Sequence, residues 1–269
     1  MTRLRYPPRL DVLFKLIFGD RRNPDNLRGL LEATLDLPPE DYDEITLVDP
    51  HLAPGYPGDK LCILDIKLKT ATGKLIDIEI QLCGQSHIRE RILFYQARMI
   101  SEQIGPGEDY RHIKRTICIL IADFALIPEN SAYHNRFTLR DPQTGAQFTD
   151  LLEIHVLELP KLPADGDGTP LWDWLKFIAA RDKEELDMLA EKNPKVRKAV
   201  VKYMELTEDE RTRMIAQSQR IREIDIEVMK QDAVEQGRTE GRDEATLSIA
   251  RSLLAEAMPI EKIMRITGL

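Results

Sequence analysis

Nowhere does the sequence hold the run of about 18 apolar residues that a membrane-spanning helix needs, so no such helix is expected. Residues 1–8 carry basic side chains but no apolar stretch behind them, so they do not read as a secretory leader. Cysteine is scarce. Its three occurrences, Cys62, Cys83 and Cys118, show no CxxC spacing and lie in or beside apolar, strand-like runs. That usage fits buried free thiols in a cytoplasmic protein better than disulfides or zinc ligands. Histidine pairs at metal-binding spacing are missing too: His87, His112 and His134 stand alone, and His155 reads as a satisfied sheet residue. There is no surplus of positive charge. Thirty-eight basic side chains face 46 acidic ones, a net charge of −8. A polyanionic partner would therefore have to be held by a local patch and bound metal, because the overall field opposes it.

What is present is a strongly patterned stretch from Cys62 to Leu82. Cys62, Leu64, Ile66 and Leu68 alternate with Ile63, Asp65, Lys67 and Lys69. After a break at residues 71–73, Ile76, Ile78, Ile80 and Leu82 alternate with Asp77, Glu79 and Gln81. A period of two is the strand signal, and a short Gly-containing break joins the arms as a hairpin. A three-residue loop places Gly73 at its left-handed position, where a side chain would be strained. Thr70 then pairs with Lys74, Lys67 with Asp77, and Asp65 with Glu79. Facing carboxylates are destabilising unless positive charge intervenes. Two readings follow. Lys67 or Lys69 neutralises the acids on a wet face, or the acids form a hard-metal site of oxygen donors suited to magnesium or manganese.

The rest of the chain falls around that hairpin. Residues 9–18 have helical spacing through Leu10, Leu13, Phe14 and Ile17, with Asp11 near the start and Gly19 as the stop. A second helix spans 25–35, a short strand 44–48, and a Pro/Gly loop 51–59. Ser86 is a candidate cap for a helix over 87–103, with Ile88, Ile92, Tyr95 and Met99 as its core stripe. Arg89 and Arg91 in its first turns are either a solvated face or phosphate contacts, for which arginine is well suited. The apolar run 116–122 reads as a central strand covered on both faces, and 136–140 and 152–159 as two more strands. Residues 163–170 form a Pro/Gly linker. Helices follow to the end, including a long charged one over about 208–256 that contains Gly237 and Gly241, and a short terminal one beginning at Pro259. The organisation expected is a domain over 1–162, a linker over 163–170, and a helical C-terminal region over 171–269.

The element order is α-β-β-β-α-β, an α/β class with a mixed central sheet. With Asp65 and Glu79-Ile80-Gln81 on its hairpin, it resembles the core of the PD-(D/E)XK nucleases. More narrowly, it is similar to the transposase-like, recombination-promoting nucleases of the Rpn family. The likeness is carried by residues 11–19, Asp59-Lys60, residues 64–66 and 78–81, Arg91 with Tyr95, Gly107 with Tyr110, residues 117–120 and 152–161, and the tail with Gly237 and Gly241.

The resemblance implies a restriction-endonuclease-like core with a helical extension, acting as a magnesium- or manganese-dependent DNA endonuclease in a recombination or transposase-related role. It implies Asp65 and Glu79 as catalytic metal ligands, with the carbonyl of Ile80 as a further ligand. Asp11 would complete the metal shell. Gln81 stands where most of the superfamily carries lysine. An amide cannot take up a proton, so the attacking water would depend on metal. Arg91 would contact phosphate, and Lys67 would supply positive charge. A homodimer through the C-terminal helices would present two sites to two strands. Two alternatives remain: a catalytically silent scaffold whose helical tail binds protein or DNA, and a DNA-binding regulator acting through the tail.

Overall fold

The computed structural model describes residues 2–52, 62–84, 86–256 and 258–268. Helix α1 (Asp11–Phe18) buries Leu13, Phe14, Ile17 and Phe18, and Gly19 ends it by returning its N–H to the carbonyl of Lys15. Helix α2 (Asp25–Thr34) buries Leu27, Leu30 and Leu31. It also buries Gly29, because a Cβ there would stand 2.5 Å from the indole of Trp174.

A six-stranded sheet forms the middle layer. Its strands are β1 (Ile45–Leu47), β4 (Ile66–Thr70), β5 (Leu75–Gln81), β6 (Thr116–Ala122), β7 (His134–Arg140) and β8 (Gln147–Glu158). The order is β1-β4-β5-β6-β8-β7. β5, β6 and β8 run parallel, and the outer pairings are antiparallel. The sheet is therefore mixed, and the parallel step from β5 to β6 is made through helix α3 (Ile88–Ser101). All seven residues of β6 are buried, as its uninterrupted apolar run predicts. The register of β7 against β8 slips twice, between Thr138 and Leu139 and again between Leu139 and Arg140.

The hairpin register is the one the loop dictates. Lys67 pairs with Asp77 and Ile66 with Ile78, Thr70 N–H donates to the Lys74 carbonyl, and Gly73 sits at φ +93°. The first arm is not one strand, however. β3 (Cys62–Ile63) pairs instead with β2 (His51–Leu52). The ladder of β4 starts only at Ile66, because Asp65 and Glu79 use their side chains where backbone pairing would continue. The loop and the Asp59-Lys60 pair expected after Leu52 lie outside the described residues.

The hairpin turn is tied down from outside. Buried Asp41 accepts hydrogen bonds from Thr70 Oγ1 (2.8 Å), Thr72 Oγ1 and Lys74 Nζ (2.7 Å). Burial pushes its carboxyl up, but the hydrogen bonds from Lys74, Thr72 and Thr70 together outweigh it and hold the carboxyl below the ordinary range.

Helices α4 (Pro170–Ala179), α5 (Lys183–Lys192) and α6 (Pro194–Glu208) follow. Trp174, Phe177, Leu186 and Val196 join the same core as Phe14, Phe18, Leu27 and the Ile76/Ile78/Ile80 face of β5. The stretch expected as a linker is docked: Trp172 Nε1 donates to the Pro163 carbonyl at 2.9 Å, and Thr169 caps α4. The compact units are accordingly Met1–Ala216 and Gln217–Leu269, not a division near residue 162. Aromatic and aliphatic side chains of α4–α6 complete the core, so they cannot leave it without exposing apolar surface. Helix α7 (Glu210–Ala255) runs for 46 residues, and α8 (Ile260–Thr267) ends at Gly268 with φ +74°. Among the described residues no helix is long and apolar enough to cross a membrane.

Candidate active site

Asp65 and Glu79 meet where the β4–β5 ladder stops. Each carboxylate is braced by the other residue's neighbourhood. The Asp65 N–H donates to Glu79 Oε1 at 3.0 Å, and the Ile80 N–H donates to Asp65 Oδ2 at 3.0 Å. The second oxygen of each faces a cation. Lys15 Nζ lies 2.8 Å from Asp65 Oδ1, and Arg91 Nη2 lies 3.8 Å from Glu79 Oε2.

The acidic face of the hairpin is not wet. Helix α3 lies over this side of the sheet, with Ile88 and Ile92 packed on Cys118 and Leu120. Asp77 and Glu79 are buried. Burial, reinforced by the Asp65 charge, pushes Glu79 up to about 8. Burial also raises Asp65, although the Lys15 hydrogen bond pulls the other way. Asp77 is raised well above the carboxylate range by burial and then by the charges of Glu79 and Asp65. Its Oδ2 accepts only the weak thiol donor of Cys118 at 3.6 Å, and its Oδ1 is a buried oxygen with no hydrogen-bond partner among the described residues.

The other expected site residues are placed as follows. Asp11, the first residue of α1, reaches the site through an intermediary: Lys15 Nζ is 2.8 Å from its Oδ1 as well as from Asp65. Gln81 is the half-buried last residue of β5, and its carbonyl accepts from the Asp123 N–H at 2.9 Å. Arg91 turns inward toward Glu79 and lies 5.9 Å from the Tyr95 ring centroid, so it is not on a solvated face. Arg89 has a structural role, donating to the Leu126 carbonyl at 2.6 Å. Lys67 is nearly buried and pairs with Glu102 at 3.3 Å.

Lys15 is the residue sequence reasoning left without a role. Its spacing of four from Asp11 was the available signal, since residues four apart share a helix face. Its contact with Asp65 required the packing of α1. Ser86 is not the cap of α3. That place falls to His87, the single non-glycine residue with positive φ among the described residues.

The donor set suits a hard divalent cation. It offers oxygen only, holds an orphaned buried carboxylate oxygen on Asp77, and gathers three acids whose pKa values are raised first by burial. Asp65, Glu79 and the carbonyl of Ile80 are the groups that would hold such an ion.

A family model described as PD-(D/E)XK nuclease family transposase matches residues 8–233. The chain belongs to that family. The match covers the sheet, both acids, Lys15 and Arg91, and it establishes the restriction-endonuclease-like fold expected from the sequence. No curated protein and no solved structure matches the chain.

A second polar cluster lies outside the acidic centre. Glu153 Oε1 accepts from Arg136 at 2.8 Å and contacts His155 Nε2 at 2.6 Å, and Arg115 also binds this carboxylate. His155 Nδ1 is 2.8 Å from His134 Nε2. His155 is satisfied, as expected. His134 is not isolated, because the antiparallel β7–β8 pairing brings together residues 21 apart in sequence.

Proposed function

We propose that this protein is a metal-dependent DNA endonuclease that hydrolyses phosphodiester bonds in a recombination or transposase-related role. The observation that carries the reading is the mutual bracing of Asp65 and Glu79 by backbone N–H groups at 3.0 Å, which fixes a half-buried and a buried carboxylate side by side. Magnesium or manganese, when bound, supplies a water of lowered pKa and offsets charge building on the phosphate. Asp65, Glu79 and the Ile80 carbonyl would hold the ion. Arg91, held beside Glu79 and Tyr95, meets a phosphate oxygen of the strand. Gln81 orients water or substrate by hydrogen bonding and takes up no proton. Asp11 holds Lys15 in place. Exposed Ile221, Ile224 and Val228 of α7 support a homodimer through the C-terminal helices. Cys62 and Cys118, buried and in no disulfide, are consistent with the cytoplasm.

The second reading is a catalytically silent scaffold. In its favour, no group of three or more His, Cys, Asp or Glu side chains among the described residues is arranged to hold a metal ion.

Cleavage of supercoiled plasmid separates the two. Wild type and Glu79→Ala are compared in magnesium, manganese, calcium and EDTA. Nicking or linearisation by wild type in magnesium or manganese, lost in the variant, supports the nuclease. No cleavage by folded wild type in any metal supports the scaffold.

A further inference from the structure

Both oxygens of Asp65 are engaged. Oδ2 accepts from the Ile80 N–H, and Oδ1 is held by the Lys15 ammonium at 2.8 Å. The ammonium therefore sits on the outward oxygen of a carboxylate that, on the nuclease reading, must also hold a divalent cation. Two cations beside one oxygen repel each other. Lys15 also lines a cavity of about 160 Å³, together with Arg21, Lys67, Val48 and Pro50, with Asp65 in its wall. Three cationic side chains around one such cavity suit an anionic ligand, and the apolar wall suits the sugar and base attached to it.

We propose that this cavity is a subsite for a phosphate of the bound strand, and that Lys15 couples its arrival to metal binding. The phosphate draws the Lys15 ammonium away from Asp65, and the freed carboxylate oxygen then accepts the metal. Lysine suits the task because its charge rides on a flexible four-carbon stem with three donors. Asp11, four residues earlier on the same helix, is the hinge contact that keeps the ammonium nearby in either position. The inference rests on the nuclease reading. Its consequence is thermodynamic: DNA tightens metal binding, and metal tightens DNA binding by the same factor.

The test is isothermal titration of full-length protein with calcium, with and without a short duplex oligonucleotide. Wild type, Lys15→Gln, Lys15→Arg and Glu79→Ala are compared after thermal melts establish that each is folded. Wild type is expected to bind calcium about 5–150-fold more tightly with the duplex present. Lys15→Gln is expected to bind calcium more tightly than wild type without DNA, and to lose most of the enhancement. Lys15→Arg, which keeps the charge, retains part of it. Calcium binding that Glu79→Ala abolishes but Lys15→Gln leaves unchanged, with and without DNA, overturns this inference and leaves the nuclease reading standing. Absence of calcium binding by wild type, or equal binding by Glu79→Ala, overturns both.

Discussion

At the scale of single residues, buried charge sets how this protein responds to pH. His134 is held down to about 4, first by burial and then by the charges of His155 and Arg136. Burial alone would raise Glu153, but hydrogen bonds from His155, Arg136 and Arg115 outweigh it and hold its carboxyl at about 2. Between the ordinary histidine value of 6.5 and about 4, the unfolded chain binds a proton at His134 that the folded chain refuses. The His134 contribution to stability therefore falls as pH falls through that window, by at most about 3 kcal/mol. Glu153 adds loss of the same sign from 4.5 down to about 2. Glu79, raised to about 8, and Asp77, raised with it, act with the opposite sign above 4.5, so the His134 effect is read as a difference between two proteins. Thermal melts of His134→Gln should gain on wild type as pH falls from 6.5 to about 4, and run parallel to it below that. A variant whose melting temperature tracks wild type between pH 6.5 and 4 would count against this account.

At the scale of elements, α2 shows how a helix can be correct in sequence and still carry a hidden demand. Residues 25–35 were legible as helical from Leu27, Leu30 and Leu31. Nothing local marks Gly29 as the point where Trp174 presses onto the helix. Elsewhere on a helix, Gly→Ala gains up to about 1 kcal/mol. Here the added methyl meets a rigid indole, and Gly29→Ala should instead destabilise by about 1–3 kcal/mol, read as a lowered denaturant midpoint at unchanged slope. The same contrast runs through the candidate site. The hairpin register was legible because Gly73 fixes the turn and the period of two fixes the faces. The adjacency of Asp65 and Glu79 followed from it. The burial of Asp77 was not legible, since α3 covers that face through contacts of Ile88 and Ile92 with Cys118 and Leu120 on the next strand. Lys15 on Asp65 and His134 on His155 are likewise products of packing, and no spacing rule reaches them.

At the scale of the whole molecule, helices α4–α6, which follow residue 162, belong to the first compact unit. Phe177, Leu186 and Val196 are fully buried in the core shared with α1 and α2. Chains ended after Ala216 and after Leu162 should therefore behave differently. The first is expected to give a cooperative melt. The second is expected to lack one and to expose apolar surface to a hydrophobic dye, because it loses the partners of Phe14, Phe18 and Leu27. A cooperative melt of the shorter chain would restore a domain boundary near residue 162. The family match, residues 8–233, already runs past that point.

The two register slips in β7 have a consequence for crowding and storage. A strand at the rim of a sheet offers unpaired backbone groups to any passing chain, and an irregular rim is a poor template for another strand. β7 combines that irregularity with Arg136 and Arg140, and the opposite rim, β1, is three residues long. Neither border invites growth into fibrils or strand exchange between neighbours.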